Sequence, residues 1–408
     1  MTRFTSLSMA SNIPIIVSLL VLLVFATTIR SYEDPTKKTM EEFSGYPTTD
    51  TQSCNSDPPS SSLSVDSESL QRQIDELSTF SDTPAPSVTR ILYSEKDVLA
   101  RRFIKDLMGR SGLSVHEDAV GNIFGHWEGT ESELPAVATG SHIDAIPYSG
   151  KYDGVVGVLG AIEAINVLRR SGFKPKRSLE VILFTSEEPT RFGISCLGSR
   201  LLARSQTLSE ALKKTVDGQN ISFFNAARLA GYAKDQKDLS SVFMKEGHYS
   251  AFLELHIEQG PILEEEGLAA AELALAVEKH VLDSGSVDTV GTVDTRDIDE
   301  SRRDTVIEKV HLSAIAIAEK RKVKLSEFRI VNKDPPALSD KSVIEAMQFA
   351  SQHLNLSHKF MISRAYHDSL FMARISPMGM IFIPCYKGYS HKPEEYASIE
   401  DIANGVKL

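Results

Sequence analysis

The sequence of 408 residues predicts an α/β fold, in which strands alternate with helices. Three short apolar or alternating runs, at residues 136–139, 178–184 and 251–257, have the pattern of strands. Residues 155–168, between the first two runs, have the apolar spacing of a helix. Because ligands of α/β sheets bind where strands end, we expect the functional residues in the loops after these strands.

The globular sequence begins at Ser67 and contains further elements. Apolar residues at helical spacing predict helices at residues 70–77, 96–107, 269–281, 302–320 and 342–353, and another helix begins at residue 398. Residues 380–384 predict a further buried strand. The sequence after residue 268 is therefore mainly helical.

The first 66 residues differ from the rest. Residues 13–29 are apolar apart from one Ser and two Thr, and Arg3 and Arg30 lie on either side. Such a stretch is typical of a signal-peptide core or a short membrane span. We therefore predict a signal or anchor segment at residues 1–30, and with it the endoplasmic reticulum or secretory pathway. Pro, Ser, Thr and Asp dominate residues 31–66, which predicts a disordered linker.

Charge and cysteine content narrow the class of function. Acidic residues outnumber basic ones by 55 to 44, so the formal net charge is −11 and nucleic acid is not the expected partner. The three cysteines have neither the spacing of a metal site nor the even number of a disulfide framework. We expect a small-molecule substrate, with membrane association only through the N-terminal segment.

Two histidines belong to the predicted strands or follow them. His142 and Asp144 come directly after the first strand and, being two residues apart, can lie on one side, where the carboxylate can orient the imidazole. His256 lies in the third strand with Glu254 and Glu258 on the same face. A solvated edge strand would have a similar pattern, so His256 alone does not decide between the two interpretations.

Three acids and a last histidine complete the set. Asp153 precedes a glycine at the start of the predicted helix, where it suits an N-cap, a metal ligand or both. Glu187 and Glu188 follow the second strand, and since neighbouring side chains diverge, one can bind metal while the other takes a proton from water. Two solvated surface acids would look the same. His391 lies in a loop before further acids, and an ordinary surface histidine is equally consistent with that position.

Taken together, these residues predict a dinuclear metal site with its general base. Their mixed nitrogen and oxygen donors suit zinc or manganese, and the lack of cysteine ligands argues against a purely structural zinc site. The six residues are His142, Asp153, Glu187, Glu188, His256 and His391.

Four strings around these residues carry a family resemblance: His-Ile-Asp, Tyr-Asp-Gly, Glu-Glu-Pro-Thr-Arg-Phe and His-Ile-Glu-Gln-Gly-Pro. From about residue 70 to 408 the sequence resembles the metallopeptidase M20 superfamily, and in it the ureide branch of allantoate and ureidoglycolate amidohydrolases. The resemblance implies a metal-dependent exopeptidase-like catalytic domain, with a mixed sheet flanked by helices, at residues 67–267 and 331–408. It also implies a smaller α+β dimerisation domain, the lid, at residues 268–330.

The resemblance further implies a role for each residue. One metal ion would be held by His142, Asp153 and His256, and the other by Asp153, Glu188 and His391. Glu187 would be the general base, and Asp144 would orient His142. The implied substrate contacts are Gln259, Arg296, Tyr366 and His367. In this branch the two divalent ions are expected to be Mn²⁺, with Zn²⁺ as the alternative, and the protein is expected to be a homodimer.

The implied reaction is hydrolysis of (S)-ureidoglycolate in purine catabolism. A water that bridges the two metal ions attacks the ureido carbonyl, and the products are ammonia, carbon dioxide and hydroxyglycine, which breaks down to glyoxylate. The string from Arg364 to Ser369 favours this substrate over allantoate. Allantoate and N-carbamoyl-L-amino acids remain alternatives, because their hydrolases share every metal ligand.

Two junctions depart from the family pattern. After Gly267 the family continues into lid strands that include a histidine of the partner's active site, whereas here Leu268 starts a helical run. A second stretch is missing between Val293 and Asp294. We therefore predict a truncated lid, which puts the homodimer in doubt. An inactive variant that still binds metal is the resulting alternative.

Overall fold

The computed structural model describes residues 63–233, 238–259, 299–330, 333–356, 358, 360, 363 and 365–408. The predicted signal segment, most of the linker, the predicted helix at 269–281 and both junctions lie outside these residues. Within the described ranges, no helix combines the length and the apolar character needed to cross a membrane.

A mixed sheet of six strands forms the centre of the molecule. Its order is β2 (Ser114–Glu117), β3 (Ile123–Trp127), β6 (Leu179–Leu183), β4 (Ala136–Ser141), β7 (Tyr249–Ile257) and β8 (Met378–Ile383). The β2–β3 and β3–β6 pairs are antiparallel, whereas β6, β4, β7 and β8 run parallel. The mixed sheet is as predicted, and the carboxyl ends of its four parallel strands meet at one edge. A separate antiparallel pair joins β1 (Val88–Arg90) to β5 (Ala145–Ser149).

Helices cover both faces of this sheet. One face packs against α1 (Ser67–Ser78), α2 (Glu95–Arg110), α3 (Val155–Arg170) and α10 (Ile399–Lys407). The other face packs against α4 (Leu197–Leu202), α5 (Gln206–Leu212), α6 (Phe223–Leu229) and α9 (Ser369–Met372). Apolar residues of α3 are buried on nearly every side, as expected for a helix enclosed between a sheet and two other helices. Two apolar cores, one on each face, therefore hold the loops at the carboxyl edge.

Two further helices lie between β7 and β8 along the chain. They are α7 (Glu300–Arg321) and α8 (Lys341–His353), which confirms two of the predicted helices. In α7 only Arg303 and Ala318 are buried, whereas Leu312 is 58% and Ile315 36% exposed. Residues 299–330, the described part of the predicted lid, contain no strand. The α+β character of the lid therefore stays a prediction.

Candidate metal centre

The predicted site residues come together at the carboxyl edge of the parallel strands. His142 follows β4, the glutamate pair follows β6, His256 is the penultimate residue of β7 and His391 lies in the loop after β8. Asp153 reaches the same edge from the start of α3. The N-cap of α3 is Gly154, and no side chain caps this helix, so the interpretation of Asp153 as an N-cap is wrong.

Two buried histidines face one oxygen of Asp153. His256 Nε2 lies 3.2 Å from Asp153 Oδ1, and His142 Nε2 lies 3.7 Å from the same atom. The Nδ1 atoms donate to backbone carbonyl oxygens, that of Asp144 at 3.2 Å from His142 and that of Ile257 at 2.9 Å from His256. With the Nδ1 atoms protonated, the Nε2 lone pairs are left for another ligand. Asp153 Oδ1 is buried without a hydrogen bond, so these three donors fit a divalent cation.

A second cluster shares Asp153. His391 Nε2 lies 3.3 Å from Asp153 Oδ2 and 2.9 Å from Glu188 Oε1. In each cluster the donor atoms lie within 4.8 Å of one another, close enough to hold one ion. The side chain of His391 is 40% exposed and its backbone has the left-handed φ of 59°. Such a conformation is uncommon for a residue with a Cβ and occurs often at functional sites.

A third group of residues also has donor atoms within 4.8 Å of one another, but hydrogen bonds already occupy both oxygens of its carboxylate. It consists of Glu254, His256 and His367. Glu254 Oε1 accepts a hydrogen bond from the Ser141 hydroxyl at 2.8 Å, while Oε2 accepts from the Ser369 N–H at 3.0 Å and from the Ser369 hydroxyl. Glu254 therefore ties β7 to β4 and to the start of α9. The alternative of a solvated edge strand is wrong, because β7 lies between β4 and β8.

Glycine is required where α3 begins. Gly154 has φ 67°, and a Cβ there would lie 2.4 Å from the His142 ring. A side chain at this position would displace the imidazole and would also strain the backbone. The Tyr-Asp-Gly string thus brings the chain close enough for Asp153 and His142 to face each other.

Asp144 supports both His142 and the glutamate pair. Its Oδ1 is 3.5 Å from His142 Nδ1, and its carboxylate accepts the backbone N–H groups of Glu187 at 3.2 Å and Glu188 at 3.0 Å. The sequence indicated only the contact with histidine. The contacts with the backbone fix the turn after β6 and with it the position of both glutamates.

Glu187 and Glu188 are both buried, so the alternative of two solvated surface acids is wrong. Glu187 Oε2 lies 3.9 Å from His142 Nε2, and Oε1 accepts a hydrogen bond from the Cys196 thiol at 3.3 Å. Burial raises the pKa of Glu187 well above its usual range, and the negative charge of Glu188 adds to this effect. A carboxyl group with a raised pKa can take a proton from water and return it near neutral pH.

The histidines and Asp153 shift each other's pKa values. Asp153 and Glu188 raise the pKa of His391 to about 10. Burial alone would raise the pKa of Asp153, but the neighbouring imidazoles of His142, His256 and His391 hold it well below its usual range. Asp153 is therefore ionised, and protons and metal ions compete for the same histidine nitrogens.

The predicted substrate contacts lie in different places. Gln259 Nε2 donates to Asp153 Oδ2 at 2.5 Å, and the His367 ring lies with its centroid 4.5 Å from that of His256. The Tyr366 hydroxyl instead donates to Asp334 at 3.0 Å. Arg296 lies outside the described residues.

Two residues that contact the site were not predicted from the sequence. Cys196 bonds to Glu187, and the Glu395 carboxylate accepts the backbone N–H of Asp153 at 2.9 Å. Glu395 belongs to the acids noted after His391, but no pattern distinguishes it from the exposed Glu394 beside it. Cys196 has a left-handed φ of 50°, which nothing in the sequence indicates.

The fold and the donor set define a class of protein: a metal-dependent hydrolase with two metal clusters that share one aspartate. The model of Peptidase family M20/M25/M40 matches residues 138–408, and the chain belongs to this family. The family and the α/β fold predicted from the sequence are confirmed.

Individual relatives are similar over most of their length. Ureidoglycolate hydrolase of Arabidopsis thaliana is 64% identical over 451 positions, covering 96% of this chain and 95% of the relative. Crystal structures of AtUAH in complex with glyoxylate and with (S)-hydroxyglycine each match with a TM-score of 0.77 and 67% identity, over 85% of this chain and 96% of the other. N-carbamoyl-L-amino-acid amidohydrolase of Paenarthrobacter aurescens is 31% identical over 84% of this chain and 96% of the relative.

The alignment with the Arabidopsis relative also shows a difference in length. It spans 451 positions, whereas the whole chain has 408 residues. At least 43 positions of the relative, within the matched region, therefore have no counterpart here.

Proposed function

We propose that the chain hydrolyses (S)-ureidoglycolate to ammonia, carbon dioxide and hydroxyglycine in purine catabolism. Hydroxyglycine then breaks down to glyoxylate and a second ammonia. The observation that carries the proposal is the pair of donor clusters that share Asp153 beside the buried Glu187. The 64% identity with a ureidoglycolate hydrolase supports this substrate over N-carbamoyl amino acids, whose hydrolase is 31% identical.

Two divalent metal ions fit the donor set, and when bound they polarise the carbonyl and make water more acidic. We assign one ion to His142, Asp153 and His256, and the other to Asp153, Glu188 and His391. Nitrogen and carboxylate donors without thiolate suit both Mn²⁺ and Zn²⁺. We propose Mn²⁺ because it is the ion expected for the branch that the sequence resembles.

Glu187 acts as the general base in this proposal. It takes a proton from the water that attacks the ureido carbonyl and returns this proton to the leaving nitrogen, so that the C–N bond breaks and ammonia departs. The carbamate that remains loses carbon dioxide and leaves hydroxyglycine. Asp144 keeps Glu187 and His142 in place through the contacts described above. Substrate contacts are assigned to Gln259, Arg296, Tyr366 and His367, where the guanidinium suits the carboxylate of the substrate.

We also propose a shortened lid at residues 268–330. At least 43 positions of the relative have no counterpart here, and α7 leaves Leu312 and Ile315 exposed. A homodimer through an intact lid is expected for the family, and a short lid weakens that expectation. Sequencing the transcript across Gly267–Leu268 and Val293–Asp294 tests this point, because additional codons at either junction would contradict the short lid.

The apolar stretch at residues 13–29 supports entry into the secretory pathway through residues 1–30. We propose the endoplasmic reticulum as the location, with membrane association only through this segment. Fusion of residues 1–66 to a fluorescent protein tests the location. Fluorescence that stays in the cytosol would contradict it.

Ammonia release measures the proposed activity. The purified chain is supplied with Mn²⁺ or Zn²⁺ and with (S)-ureidoglycolate, allantoate or an N-carbamoyl-L-amino acid, and bound metal is measured on the same samples. We expect the highest turnover with ureidoglycolate and Mn²⁺. Faster turnover of either other substrate would contradict the substrate, whereas two bound ions without any turnover would support the inactive variant that the missing positions suggest.

A further inference from the structure

A buried glutamate of the C-terminal loop lies against the loop that carries Asp153. Glu395 Oε1 accepts two backbone N–H groups, from Tyr152 at 2.7 Å and from Asp153 at 2.9 Å. These bonds connect residues more than 240 positions apart in the chain. Glu395 thereby joins the segment that starts α3 to the segment that follows β8.

The second segment also supplies His391. Its ends are held together by the hydrogen bond from the Tyr386 N–H to the Tyr396 carbonyl at 2.8 Å, and the Glu395 N–H donates to the Lys392 carbonyl at 3.1 Å. His391 therefore lies in a closed loop whose one buried acid, Glu395, contacts the backbone of Asp153. A shift of Glu395 would change the separation of Asp153 and His391, two donors of the same cluster.

Gly150 provides the space for this contact. A Cβ at this position would lie 2.3 Å from Glu395 Cβ and 2.5 Å from Oε1. Gly150 is not among the residues with a left-handed φ, so alanine suits its backbone, and the three atoms nearest to the added Cβ all belong to Glu395. Substitution of Gly150 therefore displaces Glu395 without removing its carboxylate.

The second oxygen of Glu395 indicates that the contact has a cost. Oε2 is buried and makes no hydrogen bond. A buried acceptor without a partner is destabilising, so a contribution to folding alone does not account for a carboxyl group at this position. The favourable contacts of this carboxyl group are those of its other oxygen, which accepts the backbone N–H groups of Tyr152 and Asp153.

We propose that Glu395 is a positioning residue: it docks the His391 loop onto the Asp153 backbone and so sets the affinity of the metal centre. The inference rests on the proposed function only in its assumption of a metal centre, and not on the substrate. Loss of a residue that orients metal ligands typically weakens metal affinity by about 10- to 100-fold.

The test measures binding of Mn²⁺ to the full chain by the electron paramagnetic resonance signal of the free ion. We expect Glu395→Ala and Gly150→Ala each to weaken Mn²⁺ affinity by about 10- to 100-fold. Glu395→Gln keeps a carbonyl oxygen for the two N–H groups, so it should stay closer to the parent chain than Glu395→Ala. The matched control is Glu394→Ala, which removes the exposed neighbouring acid and should leave affinity unchanged.

Several outcomes would overturn the proposal. Parent-like affinity in Glu395→Ala or Gly150→Ala would do so, and so would an equal loss in Glu394→Ala. If Glu395→Ala fails to fold, as shown by circular dichroism, Gly150→Ala and Glu395→Gln decide the question. Failure of the parent chain to bind Mn²⁺ would overturn the metal centre itself, whereas failure to turn over ureidoglycolate would leave this test unaffected.

Discussion

At the scale of single residues, neighbouring acids have different surroundings. Glu188 contacts His391 within one donor cluster, whereas Glu187 lies between His142 and the Cys196 thiol. The backbone N–H groups of both glutamates donate to Asp144, which fixes the turn. This arrangement places Glu188 among the metal donors and leaves Glu187 as the proton acceptor.

Substitution of each glutamate should separate proton transfer from metal binding. Glu187→Gln should lower turnover by about 10²- to 10⁴-fold, because it removes the proton acceptor, while both metal ions stay bound. Glu188→Gln is the matched control and should lose metal, because a carbonyl oxygen is a weaker ligand than a carboxylate. Ammonia release and metal analysis on the same preparations distinguish the two. Loss of metal in Glu187→Gln would contradict the assignment.

The pH dependence of metal binding follows from the pKa of His391, which Asp153 and Glu188 raise to about 10. In the metal-free protein the charged imidazole contributes stability that is fully present below the unfolded pKa of about 6.5 and is lost as pH rises through about 10. Metal requires the neutral ring, so Mn²⁺ affinity should increase from pH 6 to pH 8 with release of protons. Titration calorimetry in two buffers of different ionisation enthalpy measures this release. An affinity that does not change with pH would contradict it.

Five of the six predicted residues of the metal centre lie in, or just after, a recognisable pattern, whereas His391 lies in a loop and was predicted through the set as a whole. His142, the glutamate pair and His256 accompany apolar runs that form the parallel strands, and Asp153 accompanies the start of α3. The contacts of Glu395 and Cys196 could not be predicted, because they depend on how distant loops approach each other in space.

At the scale of elements, burial explains why the four parallel strands could be predicted, although the buried β1 and β3 were not. The strands β4, β6, β7 and β8 have neighbours on both sides or helices on their faces, so their sequences are apolar. The edge strand β2 has the sequence Ser-Val-His-Glu and is mostly exposed, so no apolar pattern marks it. The short β5 contains Pro147 and the exposed Tyr148, so its sequence also lacks an apolar strand pattern.

Asp334 connects α4 and the segment after α9 to the loop that contains Tyr366, a predicted substrate contact. It pairs with Arg200 of α4 at 2.8 Å and with Arg374 after α9 at 2.9 Å, and it accepts the Tyr366 hydroxyl. Because its side chain is largely buried, Asp334→Ala should lower the free energy of unfolding by about 1–3 kcal/mol. Urea denaturation checks this value.

The control for this change is Asp304→Ala. Asp304 pairs with Lys333 at 2.7 Å, next to Asp334 in the chain, but both side chains are partly exposed. Exposed ion pairs contribute little to stability, so the control should lower the free energy of unfolding by less than Asp334→Ala does. Equal losses in the two variants would show that Asp334 does not have the connecting role.

At the scale of the whole molecule, α7 differs from the helices that cover the sheet, because among its described residues only Arg303 and Ala318 are buried. Leu312 and Ile315 of α7 and Phe328 after it are exposed. In an α+β domain such a face packs on a sheet, and an unpaired apolar face favours aggregation. The short lid stays a prediction that rests on the family resemblance, because no local pattern in the sequence indicates a missing segment.

If the lid is short as proposed, insertion of the corresponding segments of a relative should cover this apolar face. A chimaera that carries the corresponding segments of the Arabidopsis relative at Gly267–Leu268 and Val293–Asp294 should cover α7 and form a dimer, measured by light scattering. Its turnover of ureidoglycolate should exceed that of the parent chain by about 100-fold or more, because loss of one donor that stabilises the transition state costs that much. The matched control is a chimaera with Gly-Ser segments of equal length, which restores the spacing but no strand. Equal activity of the parent chain and the first chimaera would show that the short lid is sufficient for catalysis.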